Sequence, residues 1–278
     1  MSSTHPALAD RALLPDLGRR TLVMGILNVT PDSFSDGGLF APLEAAVAHA
    51  EAMVGEGADI IDVGGESTRP GHIAIDETDE IARVVPVISA LSQRIGVPIS
   101  IDTYKAATAA AALRAGAAIV NDVWGLQREP EIARIAAEFG APVVAMHNRD
   151  TIDADLDIID DMMRFFTRSI AIARQAGIAD RDIILDPGIG FGKSFAQNLT
   201  ALRRLGELKT LGHPILVGTS RKSFIGRILD KLPAERVNGT IASNVAAILA
   251  GADIIRVHDV APHVEAARVT DAILGKNP

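Results

Sequence analysis

Cysteine is absent from all 278 residues. This excludes a disulfide framework, a zinc ribbon, an iron–sulfur centre and thiol chemistry together. Basic residues are in deficit, with 27 Lys and Arg against 35 Asp and Glu and a formal charge of −8. That balance argues against a nucleic-acid partner, which would need cations gathered on one face. No run of about 18 apolar residues occurs, so no membrane span is expected. Residues 1–14 lack the basic start and apolar stretch of a secretory leader. A cytoplasmic setting is the expectation. Low-complexity tracts are missing too, and 48% hydrophobic against 22% charged residues leaves enough apolar surface to build a core.

What is present is a rhythm. Short apolar or β-branched runs recur at residues 21–29, 59–63, 97–101, 118–121, 142–146, 182–185, 214–217 and 253–257, the length and composition of buried parallel strands. Between them lie Ala-, Leu- and Arg-rich stretches long enough for helices, including 43–55, 103–115, 129–139, 158–177 and 240–250. The pairs Gly57-Ala58, Gly116-Ala117, Gly140-Ala141 and Gly251-Ala252 stand where a left-handed helix C-cap precedes a strand. Eight such units in series predict a single α/β domain, a (β/α)8 TIM barrel, over residues 21–278, with a doubly wound open sheet as the alternative. Residues 1–20 read as an N-terminal extension placed to cover the barrel floor.

Polar residues fall at the strand ends: Asn28, Asp62, Asp102, Asn121 with Asp122, His147 with Asn148, Asp186, Thr219 to Lys222, and Arg256 with His258. One such residue is as well explained as a helix cap. A full series points to the C-terminal rim, where barrel enzymes place their chemistry.

Three tempting motifs fail. In Gly188-Ile189-Gly190-Phe191-Gly192-Lys193-Ser194 the first Gly of a phosphate loop would fall at Pro187, and no G-x-G-x-x-G follows the first strand. Gly218-Thr219-Ser220-Arg221-Lys222 ends in Lys where a nucleophile elbow needs Gly. Nucleotide hydrolysis, nicotinamide redox chemistry and serine-hydrolase catalysis lose their main warrant. The polar segments 28–38 and 64–71 are longer than ordinary barrel loops, which suits lids. Ser220-Arg221-Lys222-Ser223 and Arg256-Val257-His258-Asp259 add cations at strand ends, a candidate anion site in an acidic protein. His5, His49, His72, His213 and His263 have no clustered partners and read as surface or loop residues. Trp124 reads as packing beneath a loop.

Taken in order, segments 28–38, 64–71, Ile101-Asp102-Thr103, Asn121-Asp122, 186–193, 220–223 and 256–259 resemble the motif set of the dihydropteroate synthases, pterin-binding barrels of folate synthesis. The likeness spans about residues 21–275. One departure is Met146-His147-Asn148-Arg149-Asp150, where many members carry a His-Met-X-Gly type loop.

The resemblance implies a transferase that joins 4-aminobenzoate to 6-hydroxymethyl-7,8-dihydropterin pyrophosphate. It implies pterin contacts from Asp102, Asn121, Met146, Asp186, Phe191, Lys222 and Arg256, with Lys222, Arg256, His258 and Asp102 catalytic. Asn28, Thr68, Arg69, Arg256 and His258 would hold the pyrophosphate, with Asn28 the ligand of Mg2+. Phe34, Thr68, Pro70, Lys222 and Ser223 would surround the aminobenzoate, and Asp36 would bridge the closed loops. A homodimer through residues 242–250 and 264–274 is implied as well. The alternatives are a methyltetrahydrofolate-binding barrel serving a corrinoid partner, which has no use for the Arg256 and His258 pair, and a silent pterin-binding paralogue.

Overall fold

Strands that are apolar throughout, such as Val143–Met146, and buried at every residue need cover on both faces. A closed parallel barrel with an outer layer of helices provides it. The computed structural model describes residues 13–29, 41–66 and 75–276, and it has this form. The strands are β1 (Leu22–Asn28), β2 (Ile60–Gly64), β3 (Ile99–Asp102), β4 (Ile119–Asp122), β5 (Val143–Met146), β6 (Ile183–Asp186), β7 (Leu216–Val217) and β8 (Ile254–Val257). They are all parallel, in the order β6-β5-β4-β3-β2-β1-β8-β7. The remaining gap, between β6 and β7, is closed by a single bridge from Leu185 to Ile215. The open-sheet alternative is thereby excluded.

Alternation along the strands builds two apolar layers. Leu22 and Met24 of β1 join Ile60, Ile119, Val144, Ile184, Leu216 and Ile254 inside the barrel, where Leu13, Leu14 and Leu17 pack against them. Val23, Ile61, Val120, Ile183 and Ile255 belong to the larger cluster between sheet and helices. Each fully buried Leu or Ile contributes about 1.5–3 kcal/mol relative to exposure.

The helices are α1 (Ala41–Gly55), α2 (Glu77–Leu91), α3 (Ala106–Ala115), α4 (Glu131–Phe139), α5 (Ile158–Ala176), α6 (Phe195–Arg203), α7 (Ser223–Leu229), α8 (Val237–Leu249) and α9 (Val260–Ile273). The four expected cap glycines, Gly57, Gly116, Gly140 and Gly251, all have φ between 64° and 117°. Several element bounds shift by two or three residues from expectation, α8 starting at Val237 instead of 240 among them. The seventh strand is shorter than residues 214–217, because Pro214 has no N–H to give the ladder. The third helix starts at Ala106 instead of 103, because Thr103 Oγ1 takes the Lys105 N–H (3.2 Å) and holds 103–105 at the rim. Among the described residues no helix is long and apolar enough to cross a membrane.

Candidate active site

Because all strands run the same way, their C-terminal residues share one mouth of the barrel. Asn28, Asp102, Asp122, Met146 and Asp186 each end a strand, and Asn121 and Arg256 stand one residue back from the ends of β4 and β8. The register sets Asn28 beside Gly64, Gly64 beside Asp102, and Asp102 beside Asn121. Gly64 leaves space between its neighbours. A Cβ placed on it would lie 3.7 Å from Asp102 Oδ2 and 3.8 Å from Asn28 Oδ1.

Arg256 joins two acids. Its Nε donates to Asp62 Oδ2 at 2.6 Å and its Nη2 to Asp102 Oδ2 at 2.7 Å. Asn121 Nδ2 donates to the same Asp62 oxygen at 3.0 Å. Asp62 is wholly buried, yet its Oδ1, like Asp102 Oδ1, has no hydrogen-bond partner among the described residues. Two carboxylates facing one guanidinium leave acceptor capacity unmet in a low-dielectric place. Burial, only partly offset by Arg256, pushes the Asp102 carboxyl up to about 7. Burial works against the charge of Arg256 as well, but Asp62 and Asp102 outweigh it and hold its proton more tightly than usual.

Across the mouth, Asp186 Oδ1 accepts the Gly188 N–H at 2.8 Å. Burial raises its pKa, while Lys222 and then Arg256 pull it back. Lys222 is the mirror case: burial brings it down to about 8 against the opposing pull of Asp186. Its Nζ donates to the Ile189 carbonyl and lies 4.7 Å from the centre of the Phe191 ring. The charges of Lys222 and Arg256 both act on Asp186, so the expected acids and bases share one site.

His258 is oriented by Ser220, whose Oγ accepts the His258 backbone N–H (3.1 Å) and lies 2.9 Å from Nδ1. The two contacts to one hydroxyl fix the orientation of the imidazole at the end of β8. Ser223 begins α7 and is exposed. Phe34, Asp36, Thr68, Arg69 and Pro70 lie outside the described residues.

Several expectations are corrected. Arg221, grouped with the anion-holding cations, is bound to Asp259 through Nε (3.0 Å) and Nη2 (2.5 Å), so its charge is already matched. His213 and His263 are buried, not superficial, each with Nδ1 against a backbone carbonyl, Asp180 O and Asp259 O. His5 and His72 lie outside the described residues, and His49 is exposed. Trp124 is half-buried, with the exposed Arg128 guanidinium 4.3 Å from its ring centre. Both residues belong to the loop between β4 and α4, so the ring packs within that loop. His147 turns away from the mouth. It is fully buried, its Nε2 lies 3.0 Å from Asp161 Oδ2, and burial lowers it to about 3.

The sequence reading noted Asp62 at a strand end and gave it no role. The available signal was a carboxylate inside the apolar run Ile60-Ile61-Asp62-Val63. Lys105 was not singled out at all. It is buried and donates to both Glu66 and Glu80, tying the end of β2 to α2. Among the described residues, no group of three or more His, Asp and Glu gathers to hold a metal unaided.

Residues 24–258 match the family described as pterin binding enzyme. The dihydropteroate synthase of Clostridium beijerinckii is 50% identical over 260 residues, 93% of this chain and 96% of that protein. The crystal structure of a Clostridium difficile dihydropteroate synthase, determined in the presence of pteroic acid, has a TM-score of 0.91 and 55% identity. The match covers 93% of this chain and 98% of that one. That of the Xanthomonas albilineans dihydropteroate synthase with 4-aminobenzoic acid has a TM-score of 0.88 and 45% identity, covering 93% and 94%.

Proposed function

The chain belongs to the pterin-binding enzyme family as a dihydropteroate synthase homologue, a transferase of folate biosynthesis, and from that premise we propose how its rim performs the reaction. The substrates are 6-hydroxymethyl-7,8-dihydropterin pyrophosphate and 4-aminobenzoate. The observation that carries this reading is the Asp62–Arg256–Asp102 bridge, with one oxygen of each acid unpartnered among the described residues, facing Asp186 and Lys222 across the mouth.

A pterin edge presents amino and ring N–H donors beside a carbonyl and ring nitrogens. Asp186 accepts two neighbouring N–H groups, Asn121 both donates and accepts, Asp102 accepts, and Lys222 donates to the carbonyl or a ring nitrogen. Met146 and Phe191 flank one face of the ring, and the Arg256 guanidinium the other. A ligand that satisfies Asp102 removes the penalty on its ionised form, so discrimination is sharp.

The C–O bond between the pterin methylene and the pyrophosphate breaks first, and its electron pair leaves with the pyrophosphate. Positive charge spreads over the electron-rich dihydropterin, where Asp102 and Asp186 stabilise it. Arg256, His258, Arg69 and Thr68 hold the departing anion. The neutral aromatic amine then forms the C–N bond and gives its proton to the released pyrophosphate, the stronger base. No strong protein base is required, because the attacking amine is already neutral. Ser223 and Lys222 receive the carboxylate of the aminobenzoate, with Phe34, Thr68 and Pro70 around its ring and Asp36 bridging the loops.

The donor set at Asn28 fits Mg2+ as a shared ligand. Its neutral amide oxygen lies 3.8 Å from where a Cβ on Gly64 would stand, and magnesium retains waters and leans on substrate phosphates. When bound there, the ion would neutralise charge building on the pyrophosphate. The exposed Leu249, Val269, Ile273 and Leu274 of and beside α8 and α9 support a homodimer through these helices, measurable by light scattering. A cytoplasmic location belongs to the same reading.

The test is to mix both substrates with Mg2+ and follow pyrophosphate and dihydropteroate. Release of both in equal amounts is expected. Pterin binding without release would overturn the proposal in favour of a silent binding protein, and methyltetrahydrofolate binding without release would favour the corrinoid-serving barrel.

A further inference from the structure

The glycine-rich run ending in Lys193 fails as a phosphate loop, and the structure shows what its lysine does instead. Lys193 is buried at 5% exposure. Its Nζ donates to three main-chain carbonyls: Gly188 O at 2.9 Å, Phe191 O at 2.9 Å and His147 O at 3.2 Å. An ammonium has three N–H donors and no acceptor, so three carbonyls saturate it. A neutral amine would turn its lone pair on one of those oxygens. Burial lowers the pKa of Lys193, and the three carbonyls hold the charged form against that pull.

Among the described residues no carboxylate lies within ion-pair distance of it. The charges of Asp186 and Asp161 favour the ammonium only from beyond contact, and a buried cation held at contact by carbonyls costs more than an apolar side chain of the same length. The carbonyls it joins belong to the parts of the pterin cradle. His147 follows Met146 at the end of β5, and its N–H donates to Asp186 O (2.8 Å). Gly188 supplies the N–H on Asp186 Oδ1. Phe191 carries the ring beneath Lys222.

The loop rides directly on the β5 end. Gly188 has φ +61°, and a Cβ on it would fall 2.0 Å from His147 O. Such contact between backbones brings carbonyl dipoles together, and a cation at their focus offsets that repulsion. The far side of the loop is tied by Asn198, which accepts the Gly190 N–H (2.5 Å) and donates to Ser194 O (2.9 Å).

We propose that Lys193 is a positioning residue for the pterin: its ammonium sets the spacing of Met146, the Asp186–Gly188 pair and Phe191 by drawing the carbonyls of two loops onto one point. This rests on the dihydropteroate synthase reading of the site. Lys193 touches neither substrate, and its influence falls on the pterin half alone, since none of the carbonyls it joins belongs to the aminobenzoate side.

The experiment compares Lys193→Met with the wild type in steady-state turnover and in pterin binding by calorimetry. A rise of at least tenfold in KM and Kd for the pterin substrate is expected, with KM for aminobenzoate within twofold and kcat within threefold. A pterin Kd within twofold of wild type overturns the inference, whatever the melting temperature. So does an equal loss for both substrates. If the methionine variant does not fold, Lys193→Gln, which keeps an N–H donor pair without the charge, is judged by the same outcomes. Failure of the wild type to make dihydropteroate would instead strike the functional reading itself.

Discussion

Both mouths of the barrel carry acids and bases, and they differ in whether those groups are satisfied. At the floor, Asp59 accepts from the Val23 N–H (2.8 Å) and twice from Arg20 (2.6 and 3.0 Å). Asp271 takes the Thr21 N–H (2.6 Å) and hydroxyl (2.8 Å), and Asp253 the Ile215 N–H and Lys209, both at 2.8 Å. A cavity of about 280 Å³ opens there beside Arg20, Asp59 and Asp271, yet its carboxylates already have their donors. At the rim, Asp62 and Asp102 share one arginine and each leaves an oxygen without a partner among the described residues. Charge does not distinguish a working mouth from a structural one; unmet hydrogen-bonding capacity does.

The comparison yields predictions in descending size. Asp186→Ala and Lys222→Ala should each weaken pterin binding at least tenfold by calorimetry, since a hydrogen bond to a charged group contributes about 1.5–3 kcal/mol. Unchanged binding in both would remove the rim as the pterin site. Asp62→Asn should lower kcat/KM about tenfold, because Arg256 loses a charged partner, while the melting temperature holds or rises as an unmet buried charge disappears. A fall in stability with activity intact would erase the contrast between the mouths.

Asp59→Asn at the floor should do the opposite, costing about 1–2 kcal/mol in urea unfolding and leaving kcat/KM within twofold. The smallest effect is a pH dependence. The Asp102 carboxyl sits near 7 in the folded chain, above its ordinary value near 4, so the folded state binds the extra proton between those limits. Its contribution is present at acid pH and is lost as pH rises from about 4 to about 7. Wild-type stability measured against Asp102→Asn should fall across that window; a flat difference would show that Asp102 is not strained.

The barrel was legible because each strand is a short apolar run and each cap a glycine before a small residue. All eight observed strand starts lie within two residues of the expected ones, and β7 begins after Pro214, which has no N–H, and Ile215, whose N–H goes to Asp253 Oδ2. The rim was legible for the same reason, since polar residues that end buried strands must gather at one mouth. Burial of single side chains was not. His213 and His263 have unremarkable neighbours in the chain, and only packing from other elements covers them. Arg221 sits in a cationic run, but its pairing with Asp259, 38 residues on, follows from the adjacency of the loops after β7 and β8. The segments around Phe34 and Thr68 lie outside the described residues, and their roles remain proposals.

Taken alone, the order of apolar runs and polar strand ends determined the architecture, the gathering of polar residues at one mouth and the chemical family, because parallel strands in series permit few closures and the residues at their tips are specific. Only the tertiary structure decided which charges are matched and which are left wanting. Asp62 and Arg256 stand 194 residues apart, and Lys193 meets a carbonyl 46 residues before it. Hydrogen bonds at such separation depend on strand register and loop packing, and composition along the chain carries neither.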